Sequence, residues 1–407
     1  MLRNNRRLSS IFLIVFIDLL GFGLILPLLP YYAETFGATD FEVGLLVAVY
    51  AAAQFVGTPL LGRLSDRVGR RPVLLISIAG NLVGFVLLAL AQSLEMLFVA
   101  RILAGFTGGN ISVAQAYISD VTDARSRARG LGLIGAAFGL GFIIGPALGG
   151  LLSQWGFAVP ALGAAALSLI NFLLVVAWLP ESLTAQARQD ARERPPLTLR
   201  AMVEALRKPL VGPLLHTRFF FALAFSMFQT IFALYALRRF DLGARETGYI
   251  LAYVGLLSVL VQGVAVGKLA QRFEERTLIL ASTALMALSL IGWALAPSVP
   301  VLLLILAPTA LSGGVLNTVI NSAISKTVAP IEVGGTLGIA SALEALTRIL
   351  SPAVGSLLLA NLGTWAPGVF SGVLLLWLTT YVWRYVYRAP LSLEFQRQPV
   401  VKVTPEQ

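Results

Sequence analysis

The stretch at residues 62–71 reads GRLSDRVGRR, and the stretch at residues 267–276 reads GKLAQRFEER. The two stretches lie 205 positions apart and share a Gly, a Leu and two Arg at matching places. The same offset pairs the glycines at 108–109 with those at 313–314, and further matches follow at an offset of 206. An ordered series of matches at a nearly constant offset predicts two similar halves in the same orientation.

The composition shows that these halves lie in lipid. Of 407 residues, 57% are hydrophobic and only 12% are charged, whereas a soluble domain is about 25% charged. Apolar runs of about 20 residues predict six helices per half. The expected helices cover 9–32, 42–62, 72–92, 95–119, 128–153, 156–179, 213–237, 245–267, 276–296, 299–325, 333–360 and 364–386. We therefore predict an all-α membrane protein of 12 transmembrane helices in two six-helix bundles.

The predicted domains follow from the same runs: an N-terminal bundle at 1–180, a cytoplasmic central loop at 181–211, a C-terminal bundle at 212–390 and a cytoplasmic tail at 391–407. With the N-terminus inside, 24 of the 30 Lys and Arg residues fall on the inner side and three on the outer side. This bias predicts a multi-pass protein of the inner (plasma) membrane with both termini cytoplasmic. It also explains the net charge of +10 without nucleic acid as a partner.

Besides Arg218, four charged residues lie well inside predicted spans. Each costs about 2.5–3.5 kcal/mol at mid-helix, so each is a candidate functional residue. Asp18 and Arg101 lie at similar depths, and we expect them to approach each other, directly or through water. Glu344 and Arg348 are four residues apart, which places both on one helix face. For Asp18 and Arg101 the alternative is a static ion pair that fixes the first span against the fourth. For Glu344 and Arg348 it is a self-neutralising pair that only lowers the cost of insertion.

Polar and aromatic side chains within spans supply further candidates for a substrate cavity, because amides in lipid must face protein or a cavity. Phe225 belongs to a stripe with Phe221, Phe228 and Phe232, which could line a cavity or face lipid; we favour lipid. The chain has no Cys and one His, so we expect no metal site. The full cavity prediction is Asp18, Gln54, Arg101, Asn110, Phe225, Gln229, Asn317, Asn321, Glu344 and Arg348.

The loop at 62–71, together with LGFGLILPLLP at 20–30, RILAGFTGG at 101–109 and GFIIGPALGG at 141–150, resembles the major facilitator superfamily. Within it, the combination is similar to drug:proton antiporters of the tetracycline-resistance type and their multidrug relatives. The resemblance implies a gate that locks the outward-open state, formed by Gly62, Asp66, Arg67, Gly69, Arg70, Arg71 and Asp120. It also implies an antiporter motif formed by Gly141, Gly145, Pro146, Gly149 and Gly150. Independently of the resemblance, we expect Asp66 to accept hydrogen bonds from the N-terminus of the next helix.

Two positions differ from tetracycline exporters of this type. Those exporters usually carry an acidic residue in span 3 where this chain has Gly84, and they often carry a His in span 8, which has none here. These differences argue against tetracycline itself as the substrate.

The resulting expectation is a transporter, not an enzyme, that exports small amphipathic or cationic drugs by alternating access. Asp18 and Glu344 are the predicted proton-coupling residues. No cofactor is expected, because the chain has no nucleotide-binding motif and the proton gradient would supply the energy. We expect the protein to act as a monomer in the bilayer. Two alternatives stay open: a transporter of a metabolite or organic anion, favoured by Arg101 and Arg348, and a non-transporting receptor or assembly factor.

Overall fold

The computed structural model describes residues 2–122, 127–183, 204–328 and 332–388. Its described part contains helices and no strands, and 12 helices are long and apolar enough to span a membrane. We number them α1 (Leu8–Glu34), α2 (Asp40–Val68), α3 (Arg70–Ala89), α4 (Leu94–Val121), α5 (Gly132–Trp155), α6 (Ala158–Trp178), α7 (Val211–Phe240), α8 (Ala244–Arg272), α9 (Glu275–Leu295), α10 (Val299–Thr327), α11 (Val333–Leu362) and α12 (Ala366–Tyr387). The predicted fold class is therefore confirmed.

The predicted connecting segments are described only in part. Most of the predicted central loop at 181–211 and all of the predicted tail at 391–407 lie outside the described residues. The short connections are well defined by local chemistry. Before α2, the Thr39 hydroxyl accepts a hydrogen bond from the Glu42 backbone N–H, and the Glu42 carboxylate accepts one from the Thr39 backbone N–H. This capping box fixes where α2 begins.

Helix α4 is broken in the middle, which the sequence analysis did not predict. Its helical segments are Leu94–Thr107 and Asn110–Val121, separated by Gly108 and Gly109. The side-chain amide of Gln54 in α2 donates a hydrogen bond of 2.9 Å to the Gly108 carbonyl oxygen. A broken helix in lipid requires such partners for its freed backbone groups.

The halves meet through α5 against α8 and α2 against α11. We call the end of the molecule that carries residues 62–71 and 267–276 the motif end. Contacts between the halves concentrate at the opposite end, where a Cβ placed on Gly44 would overlap the Ser356 side chain and one on Gly150 would lie 2.8 Å from the Ala244 carbonyl.

At the motif end, the same helices are apart. A Cβ added to several glycines there would have no atom of the described residues within 4 Å, namely Gly62, Gly132, Gly135, Gly263, Gly267, Gly334 and Gly335. The two bundles thus close at the opposite end and splay at the motif end.

Candidate functional site

The first intramembrane carboxylate, Asp18, lies near the middle of α1 and is held by amides. The Asn81 side-chain N–H₂ of α3 donates to Asp18 Oδ1 at 3.1 Å, and the side chain of Asn110 is a second hydrogen-bond partner. Asn110 is the first residue of the second helical segment of α4. Among the described residues, Asp18 forms no ion pair with any Lys or Arg. The carboxylate is half-buried, and the hydrogen bonds that it accepts from described residues come from neutral amide groups.

Arg101 does not form the predicted direct pair with Asp18. Its guanidinium carbon lies 4.0 Å from the centroid of the Tyr50 ring, and the residue is 1% exposed. Within the described part of the chain, the Nε and one terminal nitrogen of Arg101 have no hydrogen-bond partner. The amides of α3 and α4 occupy the places around Asp18, while the aromatic ring of α2 covers the guanidinium.

Tyr50 of α2 lies beside the charges of the first half, on a helix that packs against the second half. Its ring covers the Arg101 guanidinium and lies 5.5 Å from the ring of Phe22, which is one turn beyond Asp18 in α1. Helix α2 in turn packs against α11, which carries Arg348. Tyr50 therefore lies near the interface of the two bundles.

The second half contains a cluster of charges that is tightly bonded. Glu344 in α11 accepts a bond from Arg218 in α7 at 2.5 Å and one from Arg348 at 2.9 Å. The Glu344–Arg348 contact is the one that the spacing of four residues predicts. Arg218 also donates to the Asn317 side-chain oxygen at 2.7 Å. The cluster therefore links α7, α10 and α11 and carries a net charge of +1 when all its groups are ionised.

A cavity of about 210 Å³ lies beside this cluster, in the half of the bundle nearer the motif end. Its lining combines charged, polar and apolar groups: Arg218, Asn321, Leu337, Ala340, Ser341 and Glu344. Two of the predicted cavity residues, Asn321 and Glu344, are thus in its wall. Arg218, which the sequence analysis only noted as a charge within a span, is there as well.

Three members of the phenylalanine stripe of α7 are buried inside the second bundle. Phe221, Phe228 and Phe232 are at most 2% exposed, and Phe228 packs edge-on against Trp293 of α9 at 5.2 Å between ring centroids. For these three, the favoured interpretation of a face toward lipid was wrong, because a continuous aromatic face also suits the interior of a six-helix bundle.

The remaining predicted cavity residues have separate positions. Phe225 is half-buried against Gly313, and Gln54 donates a hydrogen bond at the break in α4. Gln229 is exposed on α7. The structure does not gather these three around one cavity.

The motif loop at residues 62–71 forms a network within the first half. Arg70 pairs with Asp66 at 2.6 Å and with Asp120 at the end of α4 at 3.1 Å, and donates to the Ser65 hydroxyl at 2.7 Å. In this conformation these bonds connect α2, α3 and α4 and do not join the two halves. Arg67, which was predicted to take part, forms no bond with these residues in the described part of the chain.

Glu181, and not Asp66, accepts hydrogen bonds from the N-terminus of α3. Its carboxylate accepts from the backbone N–H groups of Arg70 at 2.9 Å and Arg71 at 3.1 Å. An anion at this position is favoured by the helix dipole. The preceding residue, Gly69, has φ of 124°, and a Cβ there would overlap the Glu181 carboxylate. Asp66 is instead used by Arg70, so the expectation for Asp66 was wrong.

The second half has the corresponding ion pair with its charges exchanged. Glu275, at the start of α9, pairs with Lys326 at the end of α10 at 2.6 Å. In the first half, Arg70 at the start of α3 pairs with Asp120 at the end of α4. The two pairs occupy matching places in the repeat, so the connection between helices is retained although the signs are inverted.

The glycine motif of α5 has two packing partners. Gly141, Gly145 and Gly149 lie against α1, where an added Cβ at Gly145 would come within 2.7 Å of Gly23 Cα. Gly150 and the Pro146 carbonyl instead face α8 of the other half. The motif therefore serves both packing within one half and closure between halves.

Side chains close the end opposite the motif end as well. The Tyr31 hydroxyl lies 2.6 Å from the Thr247 hydroxyl, so one of the two donates to the other across the halves. Arg238 of α7 pairs with Glu34 at 2.7 Å and with Asp40 at 2.8 Å. These bonds join the second half to the connection between α1 and α2.

Comparison with known proteins agrees with this architecture. A family model described as the Major Facilitator Superfamily matches residues 11–296 and 217–404. The chain belongs to the major facilitator superfamily. It is 34% identical over 386 residues to the tetracycline resistance protein, class H, of Pasteurella multocida, with 92% of each chain covered.

Two solved structures of transporters have a similar fold. The human organic anion transporter MFSD10 aligns with a TM-score of 0.70 at 24% identity, covering 93% of this chain and 99% of that one. A bacterial homologue of the human lysosomal transporter Spinster, solved in an inward-facing and occupied conformation, aligns with a TM-score of 0.79 at 15% identity, covering 96% and 98%. The protein is accordingly a multi-pass membrane protein with the fold of a transporter.

Sequence reasoning missed three residues that organise this transporter's interior. Asn81 bonds Asp18, Arg218 bonds Glu344, and Glu181 caps α3. A signal existed for Arg218, since a charge within a span requires a partner. For Glu181 the sequence carries no comparable signal, because the residue follows α6 in a polar segment.

Proposed function

We propose that this protein exports small amphipathic drugs in exchange for protons, by alternating access. The similarity to tetracycline resistance proteins over most of both chains supports drug export as the transported class. Tetracycline is therefore the first compound to test, although Gly84 and the absence of His in α8 distinguish this chain. The proton gradient supplies the energy, without a cofactor, and the protein acts as a monomer.

The observation that carries the proposal is that amide side chains, and no described cation, surround the Asp18 carboxylate. A carboxylate in the membrane that has amide partners and no described cation can hold a proton or a cationic group, one at a time. Asn81 and Asn110 can donate to the carboxylate before and after such an exchange. Glu344 already holds two guanidinium groups, so we assign the exchange to Asp18 and a structural role to Glu344.

The orientation of the chain in the membrane decides which side the splayed motif end faces. The bias of Lys and Arg favours a cytoplasmic location for the motif end and for both termini, in the inner membrane. In that orientation, the structure is open to the cytoplasm and closed to the outside. Drug would enter from the motif end, and rocking of the two bundles would expose it to the outside, where protons reload Asp18.

The test is proton flux through purified protein in liposomes that contain a pH-sensitive dye and carry an imposed proton gradient. Adding tetracycline or another amphipathic cationic drug should produce proton movement with the wild type and none with Asp18→Asn. Glu95→Gln is the matched control, because Glu95 is an exposed carboxylate at the start of α4. Drug-dependent proton movement that persists in Asp18→Asn would refute the role of Asp18.

A second candidate function is transport of an organic anion. The observation that favours it is the charge of the cleft, where three Arg accompany two carboxylates, counting Arg101, Arg218, Arg348, Asp18 and Glu344. In the same liposomes, counterflow of an organic anion without drug-dependent proton movement would support this candidate. Absence of any flux with all compounds would instead favour a receptor or assembly factor.

A further inference from the structure

The charges of the cleft are separated into two poles. In the first half, Asp18 is surrounded by neutral amides, which leaves a negative pole when the carboxylate is ionised. In the second half, Arg218 and Arg348 share the one carboxylate of Glu344, which leaves a positive pole. Phe22, one turn beyond Asp18 in α1, packs against Tyr50 of α2, and α2 packs against α11, which carries Arg348, so both poles border the interface of the two halves.

Arg348 is the member of the positive pole that can bind a ligand. Its side chain is 54% exposed, and within the described part of the chain only one of its nitrogens forms a hydrogen bond, to Glu344. The Arg218 side chain is only 6% exposed, and its two terminal nitrogens donate to Glu344 and Asn317. Its Nε is buried and has no partner among the described residues. Arg218 therefore neutralises and orients Glu344, while Arg348 keeps an unused edge of its guanidinium.

The cavity beside the cluster adds apolar surface to this pole. Leu337 and Ala340 of α11 form part of the wall, together with the polar groups of Ser341 and Asn321. An amphipathic ligand could place a ring system against the apolar part of this wall. A carboxylate on that ring system could then pair with the free edge of Arg348 in a bidentate manner.

We infer that the preferred substrates are zwitterionic amphipathic drugs, whose ammonium group pairs with Asp18 and whose carboxylate pairs with Arg348. This inference rests on the proposed drug export and specifies its substrate class. It also reconciles the two candidate functions, because the ammonium group competes with the proton on Asp18 while the carboxylate satisfies the excess positive charge of the second half. A drug with a cationic group alone would leave that charge unpaired.

The experiment compares two probes that differ only in the carboxylate: norfloxacin, which carries a piperazine ammonium and a carboxylate, and its methyl ester. Equilibrium binding to the purified full-length protein is measured by quenching of tryptophan fluorescence, without a proton gradient. We expect the wild type to bind the acid about tenfold or more tightly than the ester, since a charge-assisted bond is lost in the ester.

Variants of Arg348 separate the carboxylate contact from general damage. Arg348→Gln should weaken binding of the acid about tenfold or more and should not weaken binding of the ester, which makes no bond to Arg348 and no longer meets the excess positive charge. Arg348→Lys keeps the charge without the bidentate geometry and should give an intermediate loss for the acid. Arg384→Gln, which changes an exposed Arg on α12, should bind both probes as the wild type does.

Two results would overturn the inference: equal binding of acid and ester by the wild type, including no binding of either, or undiminished binding of the acid by Arg348→Gln. The proposed function fails in a different assay. If norfloxacin binds with the expected preference but moves no protons in liposomes, the carboxylate site stands and proton exchange at Asp18 does not.

Discussion

The contact between α5 and α8 offers a substitution that should shift the balance of conformations. At Gly248 in α8, an added Cβ would overlap the Pro146 carbonyl oxygen and lie 3.2 Å from Gly150 Cα. Both neighbours belong to the other half, and both are backbone atoms, which cannot rotate away. Gly248→Ala therefore penalises the conformation that is closed at this end, and does so only while the halves are in contact there.

Overpacking of this kind costs about 1–3 kcal/mol. A penalty of about 2 kcal/mol lowers the ratio of the motif-open state to the other state about 30-fold. Gly255→Ala extends the test along the same contact, since its Cβ would lie 2.9 Å from Ile143 Cγ1 and 3.0 Å from the Phe142 carbonyl oxygen. The double variant should shift the ratio further than either single one.

The assay uses the absence of Cys from the chain. A single Cys at Ser341, in the wall of the cavity near the motif end, reports opening of that end through its rate of reaction with a membrane-impermeant maleimide. Inside-out vesicles present the proposed cytoplasmic face to the reagent. We expect Gly248→Ala to slow the labelling of Ser341→Cys, and the double variant to slow it more.

Gly263→Ala is the matched control on the same helix. Its added Cβ meets no atom within 4 Å in this conformation, so it should not slow labelling. If the motif end closes in the other state, Gly263→Ala should even hold that end open. The reasoning would be refuted by unchanged labelling in the double variant, or by an equal decrease in the Gly263→Ala control.

Two further predictions concern stability. Gly69→Ala forces a side chain to a φ of 124° and into the Glu181 carboxylate, so we expect a loss of about 1–3 kcal/mol, measured as a lower melting temperature in detergent. Gly62→Ala, near the end of α2 with open space around it, should melt no lower than the wild type, and equal melting of both variants would contradict the explanation. Arg218→Gln leaves Glu344 with one of its two cations, and breaking a buried pair costs about 3–5 kcal/mol. Adding Glu344→Gln should recover much of that loss; a double variant less stable than Arg218→Gln alone would show that Arg218 acts through other contacts.

The fold could be predicted because it depends on features that are local in sequence. Apolar runs report on each helix by itself, and the matches between 62–71 and 267–276 compare two short stretches of sequence. The break in α4 could not be predicted in this way, since Gly108 and Gly109 match Gly313 and Gly314, and α10 continues through the latter pair as one helix. Whether a pair of glycines interrupts a helix depends on partners such as Gln54, which belong to another helix.

The site was predicted less completely, because pairing depends on which helices become neighbours. Glu344 and Arg348 share one helix, so their contact follows from a spacing of four residues. Asp18 and Arg101 are on different helices, and equal depth alone does not decide whether they meet. Asn81 and Tyr50 take the positions around them, which no periodicity in α1 or α4 indicates.

The functional chemistry lies where the two halves stop matching. The repeat places the same helices in both bundles, and it even retains the ion pair between α3 and α4 as Glu275–Lys326 with exchanged signs. At the centre the halves differ: one holds a carboxylate among amides beside a broken helix, and the other holds two guanidinium groups on one carboxylate. A symmetric pair of bundles can rock about its interface, because the contact of α2 with α11 and that of α5 with α8 are equivalent under the repeat. Under the proposal made above, the asymmetric pair of poles suits a substrate with two different ends, since each pole would attract a group that the other would repel.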